Sequence, residues 1–375
     1  MAKAKEISGL DYGSAAGDGI RLILRSRFAE MRAYNDAALD WSEIKGVHDM
    51  RVASRRLRSA LRDFLPYLPK LKLRRFSKNL KELADALGAV RDQDVAIKAL
   101  DELAAKAPGD VSTGIEQLVE ERRRKRELAR SQLREVLAAD ALRKLEDDFH
   151  SALEQELKGS RKRKAEDNER EALERASCRQ AGRVVMAAGL RELLDLSPSL
   201  YRPHKTKPLH EMRIVAKRLR YAIELFAPCW VGPLAAFAKE IANLQTSLGE
   251  LHDCDVWILE IGAQLRATER DGGGAAVALD KERIGDASAS GDMVSFEAQE
   301  AQRRNAAIWL LDYFVAERTH RFRDALARWH EWELTGFHAR LAALINNETP
   351  AGEFTAAALT PAEAVAADLQ ARENS

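Results

Sequence analysis

Apolar residues recur three and four positions apart along almost the entire chain. No run alternates β-branched and polar residues as a half-buried strand would. This pattern predicts an all-α protein, with helices over 19–40, 44–67, 70–88, 92–106, 112–138 and 140–158. A second set is expected over 167–196, 207–227, 231–249, 253–268, 295–317 and 319–346. Gly88 and Gly249 sit where a helix should stop, and Asp92 and Asp253 where the next should be capped. The charged segment Gly159–Arg170 reads as a linker or as the start of a long helix. Gly272–Asp292 reads as a loop, and the chain beyond Asn346 as a loosely ordered tail.

The two sets of elements repeat each other. His48, Met50, Arg51, Arg56, Leu57, Arg58, Ala60, Phe64 and Pro66 match His210, Met212, Arg213, Arg218, Leu219, Arg220, Ala222, Phe226 and Pro228. Downstream, LADALGAVRDQDV (Leu83–Val95) matches LQTSLGELHDCDV (Leu244–Val256), with a register slip of one residue. Such a repeat predicts two similar helical lobes, about 17–160 and about 165–345.

The first block of each repeat is an amphipathic helix of unusual charge. On a wheel of 3.6 residues per turn, Met50, Ala53, Leu57, Ala60, Leu61 and Phe64 form one face, suited to burial in a bundle. His48, Arg51, Arg55, Arg58 and Arg62 fall on an adjoining stripe roughly 80° wide. His210, Arg213, Lys217 and Arg220 take the same stripe in the second repeat, with Glu224 in the fifth place. Like charges at this spacing repel by some tenths of a kcal/mol per pair. A polyanion reverses the sign of that repulsion, and the planar fork of arginine suits phosphate oxygens. One such stripe is ordinarily solvated surface; two in the same register, each opened by His, point to a ligand.

Composition alone hides this. Charged residues make up 32% of the 375 residues, and the formal net charge is only +1. Between Lys45 and Lys81, however, twelve Lys and Arg face two Asp, and between Arg202 and Arg220 seven face Glu211 alone. The asymmetry, rather than the total, makes the local field. Arg74, Lys78 and Lys81 extend the cationic set into the next helix, and Lys239 is the repeat partner of Lys78. A further row, Arg122, Arg123, Arg126, Arg130 and Arg134, is interleaved with glutamates, and Arg304 is aligned loosely with Arg126. The run RKRK at 161–164 is either a polyanion contact or a solvated linker.

Catalytic machinery is not visible. His48 and His210 lack a second ligand at i+3 or i+4, and no HExxH or CxxC pattern occurs, so neither a metal site nor another cofactor is expected. RDQD (Arg91–Asp94) and HDCD (His252–Asp255) suit helix capping better than Mg²⁺ binding, which needs further oxygen ligands. Their aspartates are also candidate ion-pair partners for arginines of the stripes. No phosphate-binding glycine loop, nucleophile elbow or Cys–His pair is present. Three scattered cysteines, no apolar leader and no span of roughly 20 apolar residues predict a cytoplasmic protein that does not cross a membrane.

HDMRVASRRLRSALRDF with LGAVRDQDV, and HEMRIVAKRLRYAIELF with LGELHDCDV, resemble the CHAD family, the conserved histidine α-helical domain. The resemblance covers roughly residues 17–345. It implies two four-helix-bundle-like lobes related by a pseudo-twofold axis. It also implies binding of inorganic polyphosphate in a basic groove, at polyphosphate granules in many bacterial members. Carried over by position, the family's ligands fall on His48, Arg51, Arg55, Arg58 and Lys78, and on His210, Arg213, Lys217 and Arg220. Glu224 in place of Arg62, and Ala242 in place of Lys81, imply weaker binding by the second half. No strand pattern suggests the triphosphate-tunnel (CYTH) domain that some members carry. The expectation is therefore a non-catalytic polyphosphate binder. Its rivals are a nucleic-acid-binding helical module, for which only Tyr221 is placed to stack on bases, and a metal-dependent polyphosphate phosphatase or phosphotransferase.

Overall fold

Long runs of Ala, Leu, Glu and Arg with few prolines give helices almost throughout. The computed structural model describes residues 5–64, 70–154, 176–230, 233–279 and 289–346. The RKRK segment and the tail beyond Asn346 lie outside them. In chain order the helices are α1 (Ala16–Arg32), α2 (Asn35–Leu39), α3 (Lys45–Asp63), α4 (Lys70–Ala104), α5 (Gly109–Val136) and α6 (Ala139–Glu154). They continue with α7 (Cys178–Asp195), α8 (Thr206–Phe226), α9 (Pro233–Leu279), α10 (Ala289–Leu334) and α11 (Phe337–Asn346), with short 3₁₀ turns at Ser197–Tyr201 and Ala227–Trp230. The described residues form no named strand; one isolated bridge joins Ala15 to Ser177. None of their helices is long and apolar enough to cross a membrane.

The helix breaks expected at Gly88 and Gly249 do not occur. α4 and α9 each run straight through them, so Asp92 and Asp253 cap nothing. At Gly88 the reason is packing: a Cβ there would lie 2.7 Å from a guanidinium nitrogen of Arg51. The missing side chain makes room for a basic residue of α3. Similarly, α10 passes without a break through the boundary expected near Glu317. Gly272–Leu279 continues α9, since Ala and Leu around the glycines favour helix, and α10 starts at Ala289. Of the expected 272–292 loop, 272–279 and 289–292 are therefore helical, and 280–288 lie outside the described residues.

The chain divides into two compact units. The first takes residues up to Gly88, Gln132–Leu248 and those from Ala325 on; the second takes Ala89–Ser131 and Gly249–Asp324. These units do not follow the sequence halves. Each draws on both, because α4 and α9 continue past the points where the pattern suggested a stop.

In the first unit the apolar face of α3 is buried as the wheel requires: Met50, Ala53, Leu57, Ala60, Leu61 and Phe64 are all in the core. Helix α3 packs against α1, α2 and α8, and α8 against α7. Phe64 and Phe226, matched in the repeat, meet edge to face at 6.1 Å between centroids. A Cβ on Gly46 would lie 1.7 Å from the carbonyl oxygen of Ala37, so glycine there lets α3 start directly against α2. A second aromatic cluster joins Phe28, Phe76 and Phe149, with Phe28 and Phe149 stacked at 4.2 Å. Beside it lies a buried ionic triad. Glu30 of α1 accepts from Arg27 at 2.7 Å and from Arg56 of α3 at 3.3 Å.

The second unit has its own core, built on Leu100, Ile115, Ile261, Leu310 and Phe314. Gly114 admits α10 closely, since a Cβ there would lie 2.3 Å from the carbonyl oxygen of Gln302.

Candidate functional site

The basic faces of α3 and α8 come together in the first unit. Neither helix has a side-chain cap or an acidic residue in its first turn, and lysines (Lys45; Lys205 and Lys207) lie at their N-terminal ends. The positive ends of both helix dipoles therefore add to the charge of their side chains rather than offsetting it.

Their side chains, with those of α4, line an open cleft of about 550 Å³. Arg55, Arg58 and Arg62 come from α3, Lys81 from α4, and Lys217 and Arg218 from α8. Leu61, Leu73, Leu80 and Ile214 supply the apolar floor. Lys217 records the field inside. Burial pushes its ammonium down to about 7, helped by Arg55, Arg213, Arg58 and Arg51. Arg55, Arg58 and Lys217 have no carboxylate within ion-pair distance among the described residues. His210, half-buried, is also pushed down, first by burial and then by Arg213 and Lys217. It stands beside the cations as a neutral imidazole at neutral pH and above, able to donate and accept hydrogen bonds.

Counter-charge sits at the edge of the cleft. Glu192 of α7 lies 3.7 Å from Arg62 and 3.4 Å from Arg218, bridging α3 and α8. On α4, Lys78 pairs with Glu82 at 3.8 Å and Lys81 with Asp85 at 2.7 Å, all four exposed. Arg74 and Lys239 are exposed. His48 is half-buried in the first turn of α3, as Arg51 is one turn on.

Two expected ligands are engaged elsewhere. Arg220 is only 5% exposed; it donates to Glu224 at 2.6 Å and to Gln245 at 2.8 Å, and lies over the ring of Tyr221. Glu224 is thus the internal partner of Arg220, not merely a missing fifth cation. Arg126 belongs to the second unit, 3.7 Å from the buried carboxylate of Asp94. In the matching motif of the second half, Asp255 accepts from Arg318 at 2.6 Å. The counterpart of Arg126 is therefore Arg318 and not Arg304, which is exposed. In each half the second aspartate of the D-x-D pair is a buried ion-pair anchor, and the first stays exposed on the same helix. The sequence offered no signal for Arg318, because its helix carries many arginines.

Among the described residues no three His, Cys, Asp or Glu side chains converge as a metal site. Cys178 and Cys254 are buried free thiols, and burial pushes them up to about 11 and about 12.

The described residues are helical, and two basic helices of similar sequence line one cleft among them. The family model described as the CHAD domain matches residues 22–261. The chain belongs to the CHAD family. Its fold is similar to the crystal structure of the CHAD domain from the plant Ricinus communis, with a TM-score of 0.59 and 21% identity, covering 88% of this chain and 96% of that one. It is also similar to PptA from Streptomyces chartreusis, with a TM-score of 0.52 and 14% identity, covering 84% and 100%. No curated protein matches the chain by sequence.

The depressed Lys217 gives a first prediction. Its ammonium titrates near pH 7 in the folded chain and near 10.4 in the unfolded one. Between those values the unfolded state binds the extra proton, so stability rises with pH, by up to about 1.4 kcal/mol per pH unit from this one group. Asp63, which burial pushes up to about 7, contributes its own slope only below that window. Urea unfolding between pH 7 and 8.5 should show the rise, and Lys217→Met should flatten it; at higher pH the buried thiols of Cys178 and Cys254, which ionise first in the unfolded chain, act in the opposite direction.

Proposed function

We propose that this protein binds inorganic polyphosphate without turning it over, at polyphosphate granules, through the cleft between α3, α4 and α8. The observation that carries this reading is Lys217: an amine held among four arginines, with no carboxylate paired to it among the described residues, deep enough that its own charge is penalised. A chain of phosphates relieves that penalty and presents an anionic oxygen to each guanidinium fork. The cleft is open rather than enclosed and suits a polymer that passes through it. Each phosphate contact releases condensed counterions, so affinity should fall steeply with salt.

The nucleic-acid reading loses its one aromatic: Tyr221 is 8% exposed, packed under Arg220, with no face available to a base. Titration with long-chain polyphosphate at low and physiological salt, with RNA as competitor, tests the proposal. Preference for RNA would reverse it, and shortening of the polymer in the presence of Mg²⁺ or Mn²⁺ would make the protein an enzyme.

Glu192 provides a sharper test of the site. It competes with a polyanion for Arg62 and Arg218. Exposed pairs of this kind are worth little, about 0–1 kcal/mol. Glu192→Gln is therefore expected to raise polyphosphate affinity about two- to fivefold, read by the same titration.

A further inference from the structure

The cleft contains one group whose chemistry exceeds simple charge pairing. We propose that Lys217 is a self-acylation site, whose Nζ takes an acyl group directly from small acyl phosphates drawn into the arginine-lined cleft. The proposal rests on the cleft and not on polyphosphate being its occupant.

Three features converge. First, the cleft is open and roomy enough at about 550 Å³ for a small acyl phosphate, and Lys217 lines it together with Arg55, Arg58 and Arg218. Second, the guanidinium groups suit the phosphate end of the donor, holding it and stabilising the charge that collects on the leaving oxygen. Third, the amine is available as free base. An ordinary lysine has about one molecule in a few thousand deprotonated at pH 7. Lys217, pushed down to about 7, has about half. The lower basicity also lowers intrinsic nucleophilicity, as it does for thiols, and removes part of that advantage. A net gain of roughly tenfold or more remains.

The cations around the amine all act in the same direction. Arg51, Arg55 and Arg58 face it from α3 and Arg213 from its own helix; Lys81 of α4 lies across the cleft. Glu192 on α7 is engaged with Arg62 and Arg218. His210, one turn beyond Arg213 on α8, is itself pushed down.

The step balances without a further reactant. The Nζ lone pair attacks the acyl carbon, the N–C bond forms, and the C–O bond to phosphorus breaks. The electron pair leaves with inorganic phosphate, and the amine's proton passes to solvent. The product amide carries no charge and cannot be protonated near neutral pH, so the modified cleft loses the cationic form of Lys217.

The experiment incubates the full chain with acetyl phosphate and maps acetylation of every lysine by peptide mass spectrometry against time. Lys217 should acquire the label at least about tenfold faster than the exposed Lys78 and Lys239 at pH 7, and its rate should level off above about pH 8. In urea-unfolded chain that preference should vanish. Arg55→Gln with Arg58→Gln should slow Lys217 alone. Labelling of Lys217 no faster than of Lys78 and Lys239 in the folded chain would overturn the proposal, as would a preference that survives unfolding. Long-chain polyphosphate separates the two readings. Protection of Lys217 supports both; fast labelling without protection or binding leaves the acylation site and removes the polyphosphate site; tight polyphosphate binding with no fast label does the reverse.

Discussion

Replacing Arg55 and Arg58 together by Glu is expected to reduce polyphosphate affinity at least about a hundredfold while leaving the helical signal and the melting temperature intact. A hundredfold corresponds to roughly 2.7 kcal/mol. Setting like charges against each other in a binding site costs several kcal/mol, so two reversals reach that figure easily. The salt dependence should become shallower too, by roughly 0.7–0.9 in slope for each phosphate that the variant no longer neutralises. Stability should not fall, for a local reason. Both side chains point into the cleft, neither is ion-paired among the described residues, and the buried face of α3 is untouched. Glutamate also relieves the crowding of cations around Lys217. Arg51 is a poorer choice for this test, because its guanidinium packs against Gly88 and its removal disturbs the packing of α3 on α4. Titration at two salt concentrations, together with a thermal melt of the same sample, gives both readouts. Unchanged affinity in a folded variant would remove the cleft as the binding site.

The largest stability effect belongs to Glu30, which lies outside the cleft. Its carboxylate is the shared ion-pair partner of Arg27 and Arg56, and all three side chains are at most 7% exposed. Glu30→Ala removes the carboxylate that both buried guanidinium groups share. Breaking a buried ionic set in this way costs about 3–5 kcal/mol. For a chain of this size that is a fall of about 4–6 °C in melting temperature. Replacing all three by apolar residues of similar volume should be far milder, since the desolvation penalty disappears with the charges. Denaturant unfolding of the single and triple variants distinguishes the two cases; equal destabilisation in both would mean that shape, not charge, holds α1 to α3. The effect should reach function as well, because Arg56 lies on the buried side of the helix whose other side carries Arg55 and Arg58.

Most helices and the faces they present were legible in the residue pattern. Period 3.6 was enough to bury Met50, Leu57, Ala60 and Phe64 and to align Arg51, Arg55 and Arg58 beside them, because both follow from rise and twist alone. The residue pattern also carried the family, through two copies of the same spaced residues. Local pattern failed where a residue's reason lay on another helix. Gly88 looked like a stop and is a gap for Arg51. Asp92 and Asp253 looked like caps and lie within helices, while Asp94 and Asp255, candidates for ion pairs, anchor Arg126 and Arg318, which lie 32 and 63 positions further on. Arg220 shares its stripe with Arg213 and Lys217, yet Glu224 and Gln245 take its charge inward. A helical wheel gives the angle of a side chain but not what stands opposite it. That α3 and α8 share one cleft follows from packing across the fold: Phe64 meets Phe226 in the core, which holds the two helices together despite the repulsion between their charges.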